Sequence, residues 1–359
     1  SGCGNSANNS AAETEKTETT AAAATSAAEE TTAAEAAEDT EKNETDEVVI
    51  ATPRDAVQGS GDAYYCWEGA YVWEALTANN GGVIDPWLAK SWEHNDDCTE
   101  WTFSLRDDAY FTDGVQFNAD VCLKNIERWG HGINSTYTTL SIEKSLPNLD
   151  KMEKVDDFTV KLTFTQPITT LEYVLSDYGS PMYSPNCFDE ETGVISDYAI
   201  GTGPYKIVDH VESEYVTLER NDNYYGENGK VKTFKIRCIP DAETRVSALK
   251  SGEVMGLADN GAITMDAAKN LCDTDSNFEM DSTPSHMTEY IMFNDKNEYL
   301  ADKRMREAFN LATDRDSICS VIYGGLLQPA YSFLSTQSTF HLDIQGTYDM
   351  EKAKSLAKE

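Results

Sequence analysis

Positive charge is what this chain has least of. Across 359 residues it carries 28 Lys and Arg against 63 Asp and Glu, a formal charge of −35. Such an acidic surface repels phosphate backbones and anionic bilayers, which excludes nucleic acid as a partner. Histidine is scarce as well, with five scattered at positions 94, 131, 210, 286 and 341. No H-E-x-x-H, C-x-x-C or clustered Cys/His spacing occurs, so neither a metal site nor a cofactor is expected. No apolar run approaches the ~20 residues that span a bilayer.

Catalytic signatures are missing in the same way. Gly201-Thr202-Gly203 lacks the third glycine of a phosphate-cradling loop and is followed by Pro204, so it reads as a turn into a strand. Gln58-Gly59-Ser60-Gly61 lacks the spacing of a nucleophile elbow. Asp96-Asp97 and Asp107-Asp108 are adjacent pairs, which point apart on a strand or occupy turns. A surface hydrolase would need a nucleophile or metal constellation that is not there, and no enzyme is expected.

Residues 5–46 lack aromatics, proline and any spaced apolar face. They cannot bury enough surface to offset the entropy of ordering, so 1–46 is expected to be a disordered tether. It holds two Lys and eleven Asp or Glu, so −9 of the charge lies there and −26 on the rest. The tether begins Ser1-Gly2-Cys3-Gly4, which resembles the tail of a bacterial lipobox and implies a lipid on Cys3. An ordinary free thiol is the alternative. The other seven cysteines, at 66, 98, 122, 187, 238, 272 and 319, are odd in number, so at least one stays unpaired. Cys122 beside Ile126 and Cys238 beside Phe234 and Ile236 suit small core hydrophobes, and most are expected reduced.

What is present is a mixed α/β pattern. Trp101, Phe103 and Leu105 alternate with polar residues, as do Phe158, Val160, Leu162 and Phe164, predicting strands with one wet face. Residues 48–52 predict a short apolar strand, and 64–76 a helix with Tyr65, Val72, Ala75 and Leu76 partly buried. Ala119, Cys122, Ile126 and Trp129 share one helical face. Phe234, Ile236 and Cys238 form a strand, Asp241 caps a helix with apolar face Ala242, Val246 and Leu249, Gly252 ends it, and 255–258 form the next strand. That strand–helix–strand unit predicts parallel pairing. Met305, Ala308, Phe309 and Ala312 give a helix after Asp302, and Asp349 caps another through Met350, Ala353 and Leu356.

Residues 86–114, PWLAKSWEHNDDCTEWTFSLRDDAYFTDG, carry more than secondary structure. An A-x-S-W segment, an acidic turn, W-T-F-x-L-R-D and F-T-D-G resemble the signature of family 5 extracellular solute-binding proteins, the peptide- and nickel-binding receptors of ABC importers. GTGPYK at 201–206 with VTLERNDNYYG up to Gly226, IPDAETRVSALKSG at 239–252, and MREAFNLATDRDSI at 305–318 resemble three further blocks in the family's order.

The resemblance implies an α/β, two-lobe periplasmic-binding-protein-like fold with an extra inserted subdomain. The first lobe takes 47–80 and 201–262, the inserted subdomain 81–200, and the second lobe 263–359. Family members continue far past this point, so the second lobe is expected incomplete. A lipid-anchored monomer on the outer face of the cytoplasmic membrane is implied, capturing a short peptide or similar small solute for ABC permease subunits. A nickel-chelate receptor or a ligand sensor is the alternative.

Ligand sits between the lobes in this family, which places Tyr64, Tyr65, Trp67, Tyr183 and Asn260 as candidate binding residues. Core packing for the aromatics and a turn role for Asn260 remain open. Nickel receptors of the family grip ligand carboxylates with an Arg in the inserted subdomain. The matching stretch 180–185 has none.

Overall fold

A computed structural model describes residues 45–57, 69–130, 146–176, 180–195, 197–259, 261–282, 285, 287–338 and 340–358. In chain order these form β1 (Thr45–Thr52), α1 (Gly69–Val72), β2 (Thr77–Asn80), β3 (Val83–Pro86), β4 (Ala89–His94), β5 (Glu100–Leu105), α2 (Ala119–Gly130), β6 (Leu149–Asp156), β7 (Thr159–Phe164) and α3 (Leu171–Val174). There follow β8 (Tyr205–Val211), β9 (Tyr215–Arg220), β10 (Val231–Cys238), α4 (Ala242–Ser251), β11 (Gly256–Leu257), α5 (Met265–Thr274), α6 (Lys303–Ala312), α7 (Arg315–Ser317), a π-helical turn (Ile318–Ile322) and α8 (Met350–Leu356). Of the tether expected over 1–46, residues 1–44, with Cys3, lie outside the described residues, as does Cys66; its last two residues are corrected to strand, since Thr45 pairs with Val231 at the start of β1 and Asp46 accepts from Lys232 at 2.9 Å.

The alternating segments assemble into an antiparallel sheet of order β4-β5-β7-β6. Trp101 opposes Leu162 and Phe103 opposes Val160. All four side chains are at most 1% exposed, because α2 lays Ala119, Cys122, Ile126 and Trp129 over them without leaving any accessible surface. Each large apolar side chain buried this way contributes roughly 1.5–3 kcal/mol. The opposite face carries the polar partners, such as Lys161 bonded to Glu100 at 2.9 Å.

A second sheet has the order β11-β1-β10-β9-β8. Its β1 runs parallel to both β10 and β11, while β8, β9 and β10 form an antiparallel meander. Asp241 caps α4 through the Thr244 amide, and Gly252, at φ +77, ends it in a left-handed conformation that costs glycine little. The parallel pairing predicted between β10 and β11 is indirect, since β1 lies between them. Early and late strands of the chain thus share one sheet.

Two local expectations are corrected. The helix predicted over 64–76 is, among the described residues, confined to Gly69–Val72. Beyond it the backbone is extended and is used by neighbours instead of by helical bonds: Leu88 N–H donates to Ala75, Ala89 N–H to Leu76, and Met182 N–H to Glu74. In α4 the fully buried positions are Arg245 and Ala248, while Ala242 is exposed and Val246 and Leu249 are half-buried. The apolar count on that helix misled because its most buried side chain is charged.

Residues beyond 262 contain no strand among those described. The cap expected at Asp349 is present, accepting from the Lys352 amide, and Asp302 caps the helix expected after it by accepting from the Arg304 amide. Ala308, Leu311 and Ala353 make a small core between α6 and α8. Large apolar side chains elsewhere in this stretch lie open, including Ile291 and Met292 at 80% exposure each.

Candidate functional site

Three parallel strands, β10, β1 and β11, end at one edge of the second sheet. In open α/β sheets that carboxyl edge is where ligands lodge, because the turns leaving it diverge and expose backbone groups. Here those turns are unusually well braced. Arg54, just past β1, donates from Nε and Nη2 to the two oxygens of Asp259, at 2.6 and 2.9 Å. Next to it Asp55 accepts from the amides of Val57 and Ser213, at 2.9 and 2.6 Å, and faces His210 Nε2 at 3.1 Å.

From below, Arg245 is 2% exposed and donates to four backbone carbonyls. Its partners are Ile239 at 2.5 Å, Pro240 at 2.8 Å, Ala262 at 2.8 Å and Gly261 at 3.2 Å. The planar fork of a guanidinium suits this role, since it reaches the β10 exit and the turn after β11 at once. Neither Arg54 nor Arg245 stood out in the sequence, and Asp259 did so only as the residue before Asn260 in the crossing segment. The DAETR run is legible as a capped helix start, but nothing local distinguishes a buried arginine from a solvated one.

Of the residues placed at the site by resemblance, Tyr64, Tyr65, Trp67 and Asn260 lie outside the described residues. Their described neighbours Val57, Asp259 and Gly261 belong to the braced edge. Tyr183 is described, and its ring is entirely buried with Trp73, Ala75, Cys187 and Phe188. Its backbone is held by Asn125, which donates to the Tyr183 carbonyl and accepts from its amide, both at 2.9 Å. The guanidinium of Arg128 lies 5.0 Å from the ring centre. An arginine therefore does adjoin this stretch, supplied by α2, but it is 2% exposed and donates to the Gly193 carbonyl.

A second polar centre escaped the sequence reading. Glu74, in the extended stretch after α1, has no exposed surface. It accepts from Thr202 Oγ1 at 2.6 Å, Tyr224 OH at 2.8 Å and Tyr225 OH at 2.6 Å. Burial raises its pKa above the carboxylate norm despite these donors, and burial beside its charge pushes Tyr224 up to about 12. Arg106 stacks on Tyr225, 3.9 Å from the ring centre. Gly201 and Gly203 belong to this junction: a Cβ would meet the carbonyl oxygens of Val72 at 2.0 Å and Tyr71 at 2.4 Å. The GTG segment is thus a close-packed turn against residues 71–73. The signal available was an acid inside the apolar run Val72-Trp73-Glu74-Ala75-Leu76.

A recess of 540 Å³ opens elsewhere, between the F-T-D-G turn and Asn221 and Asn223. Two of its polar side chains are engaged within the fold: Asp113 accepts from Ser184 Oγ and Asn186 Nδ2, and Asn221 donates to the Gly203 carbonyl. The braced edge is the better candidate. Among the described residues no cluster of three His, Cys, Asp or Glu could hold a metal, and no helix is long and apolar enough to cross a membrane. Cys98, Cys122, Cys187, Cys238, Cys272 and Cys319 form no disulfides. Burial pushes the Cys122 thiol up to about 12, which suits an inert packing residue.

Comparison with known proteins places this geometry. The family described as bacterial extracellular solute-binding proteins, family 5 Middle, matches residues 83–359. The glutathione-binding protein GsiB of Escherichia coli (strain K12) is 28% identical over 274 residues, 76% of this chain and 52% of that protein. The chain spans about half the length of the curated relatives it matches. The periplasmic binding protein DppA of Helicobacter pylori, solved with the peptide STSA, superposes with a TM-score of 0.71 at 24% identity, covering 88% of this chain and 66% of that one. NikA of Brucella suis, solved with Fe(III)-EDTA, gives 0.72 at 22% identity, covering 88% and 64%. The fold is the two-lobe periplasmic-binding-protein type, and the chain belongs to family 5 of the bacterial extracellular solute-binding proteins.

Proposed function

From that membership we propose that the chain is the ligand-capturing part of an extracytoplasmic receptor, which takes a short peptide or a similar small solute and passes it to ABC permease subunits. The braced carboxyl edge of β10, β1 and β11 carries the reading, because it offers a preformed wall whose turns are fixed before ligand arrives. Residues 47–80 and 201–262 then form the first lobe, 81–200 the inserted subdomain, and 263–359 belong to the second lobe. Membership of both strand groups in one sheet supports that division. Tyr64, Tyr65 and Trp67 line an apolar wall, and Asn260 offers its amide to the ligand backbone. Tyr183 acts by packing. Lobe closure follows from higher affinity of the closed form for ligand.

A lipid on Cys3 holds the monomer at the outer face of the membrane, with the residues ahead of β1 as its leash. The small residues before Cys3 support this. Cys3→Ala is expected to move the protein from the membrane to the soluble fraction of its native host; a wild type already soluble there contradicts it.

Ligand class is tested by titrating the full-length protein separately with a mixed di- to pentapeptide pool, with glutathione, and with nickel plus histidine, followed by Trp fluorescence and calorimetry. Saturable binding of the peptides or of glutathione is expected, weakened about tenfold or more by Trp67→Ala if that ring packs on ligand. A response to the nickel chelate alone replaces this reading with a nickel receptor.

A further inference from the structure

Arg54 and Asp55, successive residues at the exit of β1, each fasten a neighbour whose backbone is left-handed. Asp55 takes the amide of Ser213, at φ +62, and Arg54 takes the carboxylate of Asp259, at φ +86. Non-glycine residues enter that region at a cost, and persist there only when surrounding bonds over-determine them. The carboxylate of Asp259 is 6% exposed while Arg54 is 43% exposed, so a half-solvated cation closes over a nearly buried anion.

Asp259 also opens a turn, closed by the Ala262 N–H donating to the Asp259 carbonyl at 3.1 Å. The far end of that turn is held by Arg245 through the Gly261 and Ala262 carbonyls. Its near end continues from the ladder bond of Ala258 N–H to Ala51. The left-handed residue between these two anchors is therefore the point at which the turn's direction is decided, and its side chain is tied to the neighbouring strand's exit. This turn is the covalent route from the last strand of the sheet to the helices that follow.

We propose that Arg54 is a positioning residue for ligand capture: by holding Asp259 in its left-handed conformation, it sets the turn 259–262 in register with the exit of β1, so that both walls of the cleft meet ligand together. The inference rests on the receptor reading above, and its test separates the two. In the full-length, ligand-free protein, Arg54→Gln is expected to speed hydrogen exchange at the Ala262 amide about tenfold, the scale on which a strained residue is released. Asp259→Asn, which tolerates the left-handed region but weakens the pairing, falls between wild type and Arg54→Gln. Arg237→Gln, which breaks the ion pair between β10 and Glu253 in the connection from α4 to β11, leaves Ala262 unchanged.

Glutathione and the peptide pool are then titrated into the same proteins by calorimetry, well below the melting transition of each, with Arg54→Gln expected to weaken whichever binds wild type by about tenfold. Unchanged exchange at Ala262 in Arg54→Gln overturns the proposal. Faster exchange with unaltered binding also overturns it, since Arg54 would then brace the turn without serving ligand. If exchange responds and wild type binds neither probe, the bracing by Arg54 holds and the peptide reading falls.

Discussion

Replacing Glu74 with alanine is expected to lower the free energy of unfolding by roughly 3–5 kcal/mol, measured as a shift in urea midpoint at constant slope. Three hydroxyls, of Thr202, Tyr224 and Tyr225, lose their acceptor in a place that water does not reach, and the deleted side chain leaves a void. The isosteric Glu74→Gln is expected to cost less, about 1–3 kcal/mol at neutral pH, because its carbonyl still accepts. The two variants differ further in pH dependence. Burial raises the folded-state pKa of Glu74 above its ordinary 4.5, so the folded protein binds that proton more tightly than the unfolded chain does. The resulting stabilisation is fully present below the unfolded value and is lost as pH rises through the folded one. Acidifying from neutral toward 4.5 should therefore strengthen wild type relative to Glu74→Gln, and a constant difference across that window would show that Glu74 does not titrate there. Exposed carboxylates held low, such as Asp302 at about 2, act in the opposite sense and at lower pH, where protonating them removes stability in both proteins alike.

The position of Glu74 also explains which parts of this molecule could be read from its sequence. Alternation at 101, 103 and 105 and at 160, 162 and 164 is a period-two signal that one covered face imposes on any strand, so both strands and their buried sides were legible. The face of α2 was legible for the corresponding helical reason, and Asp241 and Asp349 because a cap is decided within three residues. Glu74 obeys no local rule. Its partners lie 128 to 151 residues away, and the chain around it is extended because neighbouring backbones claim its carbonyls. The same distance effect hid Arg54, whose partner is 205 residues on, and left β1 between β10 and β11 where order along the chain suggests direct pairing. Resemblance supplied Tyr64, Tyr65, Trp67 and Asn260 as cleft candidates, all outside the described residues, whereas the bracing of the sheet edge is a tertiary property. Tyr183 shows the limit of composition: an aromatic in the right neighbourhood proved to be wholly buried.

Arg245 is the residue whose loss should most damage that edge. Arg245→Leu is expected to destabilise the protein by about 3–5 kcal/mol, comparable to removing one member of a buried charged pair, because four carbonyls lose donors at once. Dipoles of these four carbonyls are what make burial of the guanidinium tolerable. Arg245→Lys should recover only part of the loss: an ammonium has three donors on a single centre and cannot reach Ile239 and Pro240 on one side and Gly261 and Ala262 on the other. The damage should also be directional. The carbonyls of residues 239 and 240 leave β10 and those of 261 and 262 close the turn after β11, so hydrogen exchange should rise at the Ile239 and Ala262 amides before it rises in β5 or β7 of the other sheet. Those two strands rest on an apolar core that Arg245 does not touch. Equal acceleration across both sheets would mean that the arginine serves the fold as a whole. Acceleration confined to the edge would mean that its burial serves the turns at the exits of β10 and β11.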